Sequence, residues 1–238
     1  MKKVALFWSG GKDAALALYQ MLQNTDIQVV KLICVFHRHT NRLAMHGVRP
    51  EVIREQIRKT GIESHEMWVE GEGNKGYELA LRQTYELMRK EGVDDIAYGD
   101  IFLESLRQYR QTFLDEYNFK GLYPLWKMNT QMLAEKYIRL GFESLLICVD
   151  DQFFSEQDLF TLFGYSLLSR LPQRVDPCGE NGEFHTLCIN APYFKAPILV
   201  EPGEVVHRDL GLDSTNNRKI GFLFGDVKLS INNEKVDN

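Results

Sequence analysis

Length, composition and charge exclude several classes of protein at the outset. The chain has 238 residues, 44% of them apolar and 26% charged, which is ordinary for a globular protein and excludes a disordered or fibrous one. A formal net charge of −5 and an isoelectric point near 5.7 disfavour a nucleic-acid partner, because phosphate neutralisation needs clustered Lys and Arg.

Hydropathy and cysteine spacing predict the compartment. No apolar run approaches the length of a bilayer crossing, and basic residues at 2 and 3 lead directly into a predicted strand, so we expect a cytoplasmic protein with no membrane partner. The cysteines include no CxxC pair, which indicates neither a zinc site nor a redox dithiol. We expect reduced, mostly buried thiols at Cys34, Cys148, Cys178 and Cys188.

Strands and helices alternate along the first half of the chain. Apolar, β-rich runs predict strands at 4–8, 27–36, 65–69 and 96–98. Helical periodicity predicts the intervening helices, which begin at about 15, 51, 77 and 103. This alternation predicts an α/β fold with a Rossmann-like parallel sheet, helices on both of its faces, and a ligand crevice at the carboxyl ends of the strands.

The second half has a different pattern and predicts a second domain. A break at 121–126 separates a predicted α/β domain at 1–122 from a smaller α+β domain at 123–229, and a polar tail follows at 230–238. In the smaller domain the sequence predicts helices at 130–139 and over most of 157–171, with strands at 144–149 and 187–190.

The first strand ends in a segment suited to binding an anion. It is connected to the first helix by Ser9, Gly10, Gly11, Lys12 and Asp13. Glycines let the main chain approach a phosphate closely, the helix N-terminus supplies free N–H groups, and the serine and lysine add a hydroxyl and a positive charge. The spacing differs from the Walker pattern. We predict a phosphate site here in preference to a tight turn with an exposed lysine.

The loop at 37–47 ends the second predicted strand and should face the same crevice. It carries His37, His39 and His46 without a carboxylate or cysteine at ligand spacing. That pattern favours solvated histidines over a metal site. His46 is also a candidate for stacking on or bonding to a nucleotide, because loops at the carboxyl ends of parallel strands line the crevice.

Charged residues follow the predicted strand at 96–98. Gly99 and Asp100 stand at its carboxyl end, where the carboxylate either points into the crevice or caps the next helix. Arg107 and Arg110 lie three apart on that helix and so share a face. This face is directed either at phosphates in the crevice or at solvent.

Residues 71–76 form a GxGxxG sequence, which by itself indicates a dinucleotide site. Glu72 places a carboxylate inside the presumed pyrophosphate cradle. Asp94 and Asp95 precede the next predicted strand, whereas a ribose-binding acid should follow one. We therefore favour a flexible turn.

The stretch at 176–186 is too polar and too rich in glycine to be core. Glu180, Asn181, Glu183 and His185 bring carboxylates, an amide and an imidazole into one turn, directly before the strand at 187–190. Taken alone, this composition fits a reaction centre and a surface hairpin loop equally well.

Both polar segments resemble a known family. SGGKDA at 9–14 is similar to the SGGxDS loop of the PP-loop ATP pyrophosphatases, with Ala14 in place of the final serine. CGENGEFHT at 178–186, which other PP-loop enzymes do not share, resembles the diphthine-ammonia ligase family and its bacterial relatives. The same likeness extends to Met45-His46, Gly99-Asp100-Ile101, Pro124-Leu125-Trp126 and Ala191-Pro192-Tyr193-Phe194.

The resemblance implies an enzyme that uses ATP and Mg²⁺ to join a carboxylate to ammonia. In the family, ATP adenylates the carboxylate with release of pyrophosphate, and ammonia then displaces AMP to give an amide. The implied nucleotide contacts are Ser9, Gly10, Gly11, Lys12, Asp13, His46, Gly99 and Asp100. We expect phosphate oxygens to supply more of the Mg²⁺ ligands than protein side chains do.

Catalytic roles are hypotheses that rest on clustering. Glu180 and Glu183 would bind ammonium and accept its proton, and Asn181 and His185 would orient the acyl group. The partner is a small-molecule or protein-borne carboxylate. Because the form DPCGENGEFHT looks like the bacterial relatives, for which diphthine would be absent, we expect a different carboxylate.

Two other functions stay open at this point. A PP-loop tRNA-modifying enzyme would want a catalytic cysteine pair or a basic extension, and the sequence shows neither. A non-catalytic ATP-binding sensor has no use for CGENGEFHT. The sequence predicts no particular oligomeric state.

Overall fold

The computed structural model describes residues 1–71, 73–212 and 219–231. Glu72 and positions 232–238 of the predicted tail lie outside them. Within this part of the chain, no helix is both long and apolar enough to cross a bilayer. The four cysteines are free and buried, as predicted.

A parallel sheet forms the first half of the chain. Its strands are β1 (Lys2–Phe7), β2 (Ile27–His37), β3 (Arg42–Leu43), β4 (Ser64–Val69), β5 (Asp95–Ala97) and β6 (Lys120–Leu122). The parallel strands lie in the order β4-β2-β1-β5-β6, and short β3 pairs antiparallel with the end of β2. The chain therefore reverses direction across the sheet at β1. Ligands bind at such a switch point, outside the carboxyl ends of β1 and β5.

Helices cover both faces of this sheet. They are α1 (Lys12–Leu22), α2 (Pro50–Thr60), α3 (Asn74–Lys90) and α4 (Glu104–Glu116). Successive side chains of β1 point to opposite faces of the sheet and so contribute to two cores. Leu6 belongs to the core that contains Leu18 of α1, whereas Ala5 belongs to the core that contains Tyr85 of α3. The predicted α/β fold is confirmed.

An antiparallel sheet dominates the second half. Its elements are α5 (Thr130–Arg139), β7 (Glu143–Asp150), the short α6 (Tyr165–Leu168), β8 (Phe184–Asn190), β9 (Val200–Leu212) and β10 (Lys219–Leu229). The strands pair in the order β8-β7-β10-β9. Leu146 and Phe184 belong to the same core as Leu6, so the two sheets share apolar packing. The domain division at 122/123 falls directly after β6 and stays a prediction.

The helix predicted over most of 157–171 is wrong. One turn of 3-10 helix at Glu156–Asp158 and the four residues of α6 are its helical parts. Between them the chain runs beside β7, where Phe160 N–H donates to Leu146 O at 2.7 Å and Leu146 N–H donates to Thr161 O at 3.0 Å. Apolar spacing alone does not distinguish a short helix from an extended segment of this kind.

Candidate active site

A cavity of about 520 Å³ opens at the expected switch point. Its walls come from the β1–α1 turn, the loop that follows β3, the β5–α4 connection and the segment that leads into β8. Segments distant in sequence therefore meet at one place. The predicted site residues that line it are Ser9, Lys12, Asp13, His46, Gly99, Asp100, Glu180, Asn181 and His185, whereas Gly10, Gly11 and Glu183 lie outside its lining.

The turn between β1 and α1 has the main-chain form expected of an anion site. Gly10 has a φ of 71°, in the left-handed region, which lets the chain turn sharply after the strand. Gly11 is the N-cap of α1 and has no side chain to cap the helix. The first-turn N–H groups of α1 thus have no acceptor within the helix, and the positive end of its dipole lies at the cavity.

Close packing explains Gly11 in the turn and Gly99 in the β5–α4 connection, which faces the turn. A Cβ at Gly11 would lie 2.8 Å from His46 Cε1 and 3.1 Å from Thr186 O. A Cβ at Gly99 would lie 3.0 Å from the main-chain nitrogen of Ala14. Glycine at these positions therefore lets three other segments close on the turn.

Lys12 is a buried ammonium in the cavity wall. Its Nζ lies 2.7 Å from Asp13 Oδ2 and also donates to the carbonyl oxygen of Cys178. Burial is the largest influence and acts to lower the pKa of Lys12, but the neighbouring Asp13, Cys178 and Glu180 together outweigh it and the pKa is raised. The side chain stays charged, and through Cys178 it connects the turn to the CGENGEFHT segment.

Thr186, the last residue of CGENGEFHT, and Gln56, which the sequence did not indicate, join the turn to β8. Thr186 Oγ1 accepts a hydrogen bond from the main-chain N–H of Lys12 at 3.0 Å. Gln56 of α2 is fully buried and donates to Gly10 O at 2.8 Å and to Cys188 O at 2.7 Å. A glutamine at a core-facing position of an apolar helix face is a signal that could have identified it.

Glu183 organises its own loop. Its buried carboxylate accepts hydrogen bonds from Asp176 N–H at 2.9 Å, from Asn181 N–H at 3.0 Å and from Asn181 Nδ2 at 3.0 Å. Asp176 in turn accepts from the N–H groups of Cys178 and Glu180. The predicted direct role of Glu183 in catalysis stays a prediction, and its contacts are those of a residue that holds the loop.

Glu180 faces the cavity and bridges to the other half of the protein. Its Oε1 accepts from Ile101 N–H at 2.7 Å and from Phe102 N–H at 3.2 Å. Burial raises the pKa of Glu180 to about 7. This carboxylate is therefore suited to exchanging a proton near neutral pH.

His46 and His185 lie side by side, with ring centroids 4.7 Å apart. Burial lowers the pKa of His46 to about 4, and burial together with the neighbouring His46 lowers that of His185. His46 Nδ1 lies 3.1 Å from Thr186 O, so this nitrogen carries a hydrogen and Nε2 is the acceptor. Both rings are neutral near neutral pH.

Asp100 and Arg110 form a second charged pair at the cavity. Arg110 Nη1 lies 3.0 Å from Asp100 Oδ2. Burial raises the pKa of Asp100. The alternative that Asp100 caps the next helix is wrong, because α4 has Leu103 as its N-cap and no side-chain bond there. Arg110 lines the cavity, whereas Arg107 lies outside its lining.

Other motifs of the sequence lie outside the cavity. His37 and His39 are exposed. Gly71 and Gly73 have a φ of 76° and form the turn before α3. Across 1–71, 73–212 and 219–231, no group of three or more His, Cys, Asp or Glu side chains is placed to hold a metal ion.

Known proteins match both halves of the chain. The family model for the diphthamide synthase N-terminal domain matches residues 1–120, and that for the C-terminal domain matches residues 129–216. A diphthine–ammonia ligase from Bos taurus is 27% identical over 235 residues, covering 86% of this chain and 85% of the relative. The Homo sapiens protein of the same name is 26% identical over 233 residues, with the same coverage.

The solved structures give a weaker likeness. The U34-tRNA thiolase NcsA from Methanococcus maripaludis is 16% identical, covers 59% of this chain and 57% of its own, and has a TM-score of 0.36, too low to support a conclusion. The two family models, by contrast, together account for most of the sequence, including the turn and the CGENGEFHT segment that meet at the cavity. This chain belongs to the diphthamide synthase family.

Proposed function

We propose that this protein is an ATP-dependent ligase, which converts a carboxylate into its adenylate, releases pyrophosphate and condenses the acyl group with ammonia. One observation carries the proposal: the SGGKDA turn and the CGENGEFHT segment touch each other in the wall of one cavity. Lys12 donates through its N–H to Thr186 Oγ1 at 3.0 Å and through Nζ to the carbonyl oxygen of Cys178. A phosphate-binding turn and a polar reaction loop in contact suit a reaction that activates a substrate with ATP and then transfers it. The relatives' name, diphthine–ammonia ligase, supports the same reaction class.

The lining of the cavity suits ATP with its phosphates at the β1–α1 turn. The N-terminus of α1 and the Lys12 ammonium suit the phosphates. Leu43 and Met45 line the cavity on the same side as His46 and provide an apolar wall for the purine base. The nucleotide contacts predicted from the sequence are consistent with this placement.

The cavity also has carboxylates that suit Mg²⁺. Asp13 and Asp100 both line it, and Asp100 Oδ2 is buried in the ion pair with Arg110 without a well-aligned hydrogen bond among the described residues. Because the described residues offer no three-ligand cluster, these two carboxylates would share the ion with phosphate oxygens and water. When bound, Mg²⁺ would supply positive charge to the leaving pyrophosphate.

The reaction has two steps. A carboxylate oxygen of the acceptor attacks the α-phosphorus, and the bond to the β-phosphate oxygen breaks, with the growing negative charge stabilised by Lys12 and the α1 N–H groups. Ammonia then attacks the acyl carbon, and the carbon–oxygen bond to AMP breaks. Glu180, with its pKa raised to about 7, accepts the proton that nitrogen loses. Asn181 and His185 line the cavity next to Glu180 and orient the acyl group.

Product analysis tests the proposal. The protein is incubated with [α-³²P]ATP, Mg²⁺, ammonium and a small-molecule extract of the native host, with the protein fraction of that host in a parallel reaction. We expect AMP and pyrophosphate in one of these reactions, and exchange of labelled pyrophosphate into ATP when ammonium is omitted. Formation of ADP, or no turnover with either fraction, contradicts an AMP-forming ligase. In a separate filter-binding assay, retention of labelled host tRNA would favour tRNA modification instead.

A further inference from the structure

The cavity has two differently built sides, which meet at the phosphate-binding turn. The β3 side is lined by Leu43, Ala44, Met45 and His46, whereas the lining residues Ile33 and Val35 pack with the core on the opposite face of the sheet, which contains Tyr85. The α4 side is lined by Phe7, Tyr77, Asp100, Leu103, Leu106 and Arg110. Leu43 belongs to the core under α1 and α2, whereas Phe7 and Tyr77 pack against the core under α3 and α4. The cavity thus extends to both faces of the sheet.

Each cation of the cavity has its own carboxylate. Lys12 Nζ lies 2.7 Å from Asp13 Oδ2, and Arg110 Nη1 lies 3.0 Å from Asp100 Oδ2. The two pairs stand on separate elements, at the start of α1 and on the β5–α4 connection with α4. Phosphates suit the α1 side, where Lys12 stands, whereas Arg110 lines the cavity from α4. The arrangement offers two anion subsites, and the proposed reaction has two anionic substrates.

The Arg110 pair is incompletely bonded, which the Lys12 pair is not. Among the described residues, the buried side-chain polar atoms without a hydrogen-bond partner are Asp100 Oδ2, Arg110 Nε and Tyr123 OH. All belong to one cluster, because Arg110 lies 4.1 Å above the ring of Tyr98 and the Tyr98 and Tyr123 rings stack at 5.5 Å. Burying such a group unpaired destabilises the folded state, so native proteins rarely retain one without a use for it.

We propose that Arg110 binds the carboxylate of the acceptor substrate, whose carbon skeleton lies against Phe7, Tyr77, Leu103 and Leu106. This inference rests on the proposed function and adds a substrate class: a carboxylic acid with an apolar or aromatic carbon chain next to the acid group. The planar guanidinium matches a carboxylate with two parallel N–H···O bonds. Tyr77 presents an aromatic wall beside it. Arg110 is thereby assigned to the acceptor rather than to the phosphates of ATP.

Calorimetric binding tests this assignment without turnover. The full-length protein, saturated with α,β-methylene-ATP and Mg²⁺, is titrated with a series of acids from acetate to 3-phenylpropanoate, and with 3-phenylpropanamide as the neutral match. We expect the longer acids to bind more tightly than acetate and the amide to bind at least tenfold more weakly than its acid. Arg110→Gln should weaken acid binding by about tenfold or more, the usual loss for a charge-assisted hydrogen bond, and change the affinity for the ATP analogue less than twofold.

Matched variants separate this role from a structural one. Arg107→Gln removes the same charge one turn earlier on α4, outside the cavity lining, and should change neither affinity. Arg110→Lys keeps the positive charge and should retain part of the acid binding. It provides the test if Arg110→Gln does not fold.

Several results would overturn the assignment. Equal binding of acid and amide by the wild-type protein, no binding of any acid, or equal effects of the Arg107 and Arg110 variants all contradict it. A comparable loss of ATP-analogue affinity in the Arg110 variants would make Arg110 a phosphate ligand. The binding experiment measures no product, so it separates this inference from the proposed function. If acid binding depends on Arg110 but no pyrophosphate is released, the inference stands and the proposed function fails. If pyrophosphate is released and neither its release nor acid binding depends on Arg110, only the inference fails.

Discussion

The SGGKDA turn and the CGENGEFHT segment build the same cavity by different means. The turn acts through main-chain geometry: Gly10 adopts a left-handed φ of 71°, α1 starts at Lys12, and one side chain adds charge. The CGENGEFHT segment acts through side chains, which a buried carboxylate holds in place. Glu183 accepts hydrogen bonds from Asp176 and Asn181, and that leaves Glu180 directed at the cavity.

The difference shows how adjacent carboxylates acquire separate roles. Glu180 and Glu183 stand three positions apart and are chemically identical. Glu183 is saturated by N–H donors of its own loop, whereas Glu180 is fixed through Oε1 alone and has a pKa raised by burial to about 7. One is therefore suited to holding the loop and the other to moving a proton. Three substitutions test the roles of the turn and of these two carboxylates, and the largest effect is expected for Lys12 in the turn.

Replacing Lys12 with Met should reduce AMP formation by about 10³-fold, the loss typical of removing one preorganised group that stabilises developing negative charge. Methionine keeps most of the side-chain length and removes the ammonium between Asp13 and the Cys178 carbonyl. AMP release under saturating ATP is the measurement. Lys3→Met, at an exposed position of β1, serves as the control and should behave as wild type. Activity of the Lys12 variant within tenfold of wild type would show that the turn does not bind the phosphates.

Replacing Glu180 with Gln should reduce amide formation by about 100-fold, which is within the range for losing a general base, and spare ATP–pyrophosphate exchange. Because burial raises the pKa of Glu180 to about 7, the carboxylate takes up a proton as the pH falls through that value. With the free ammonia concentration held constant, wild-type amide formation should therefore rise with pH through about 7. The variant should lack this rise. The same pH profile in both proteins would assign the proton transfer elsewhere.

Replacing Glu183 with Gln should lower the free energy of unfolding by about 2 kcal/mol, because an amide nitrogen would then face N–H donors in a buried place. Urea unfolding measures this effect, and Glu204→Gln at an exposed position of β9 is the control. We expect ATP-analogue binding close to wild type and reduced amide formation. A variant as stable as wild type that still loses amide formation would instead give Glu183 the direct catalytic role that the sequence suggested.

Much of the fold could be predicted because the spacing of apolar residues along the chain depends on local secondary structure. Strands β1, β2, β4 and β5 and the helices between them follow from short apolar runs and amphipathic spacing. The helix prediction at 157–171 was wrong because part of this segment forms main-chain hydrogen bonds with β7. That contact depends on a strand elsewhere in the chain. The site followed the same rule: Gly10 and Lys12 were recognisable from their neighbours in the chain. The polar residue among apolar ones at Gln56 is visible in the sequence, but its partners, Gly10 and Cys188, are given only by the tertiary structure.

By itself the sequence determined an alternating α/β half, a glycine turn directed at an anion and a family resemblance in two short segments, because these depend on residues close together in the chain. Only the tertiary structure decided that Glu180 faces the cavity and Glu183 does not, and that Arg110 and Asp100 pair beside it. Burial and hydrogen-bond partners set these outcomes. Both depend on which distant segments pack together, and no local pattern encodes that choice.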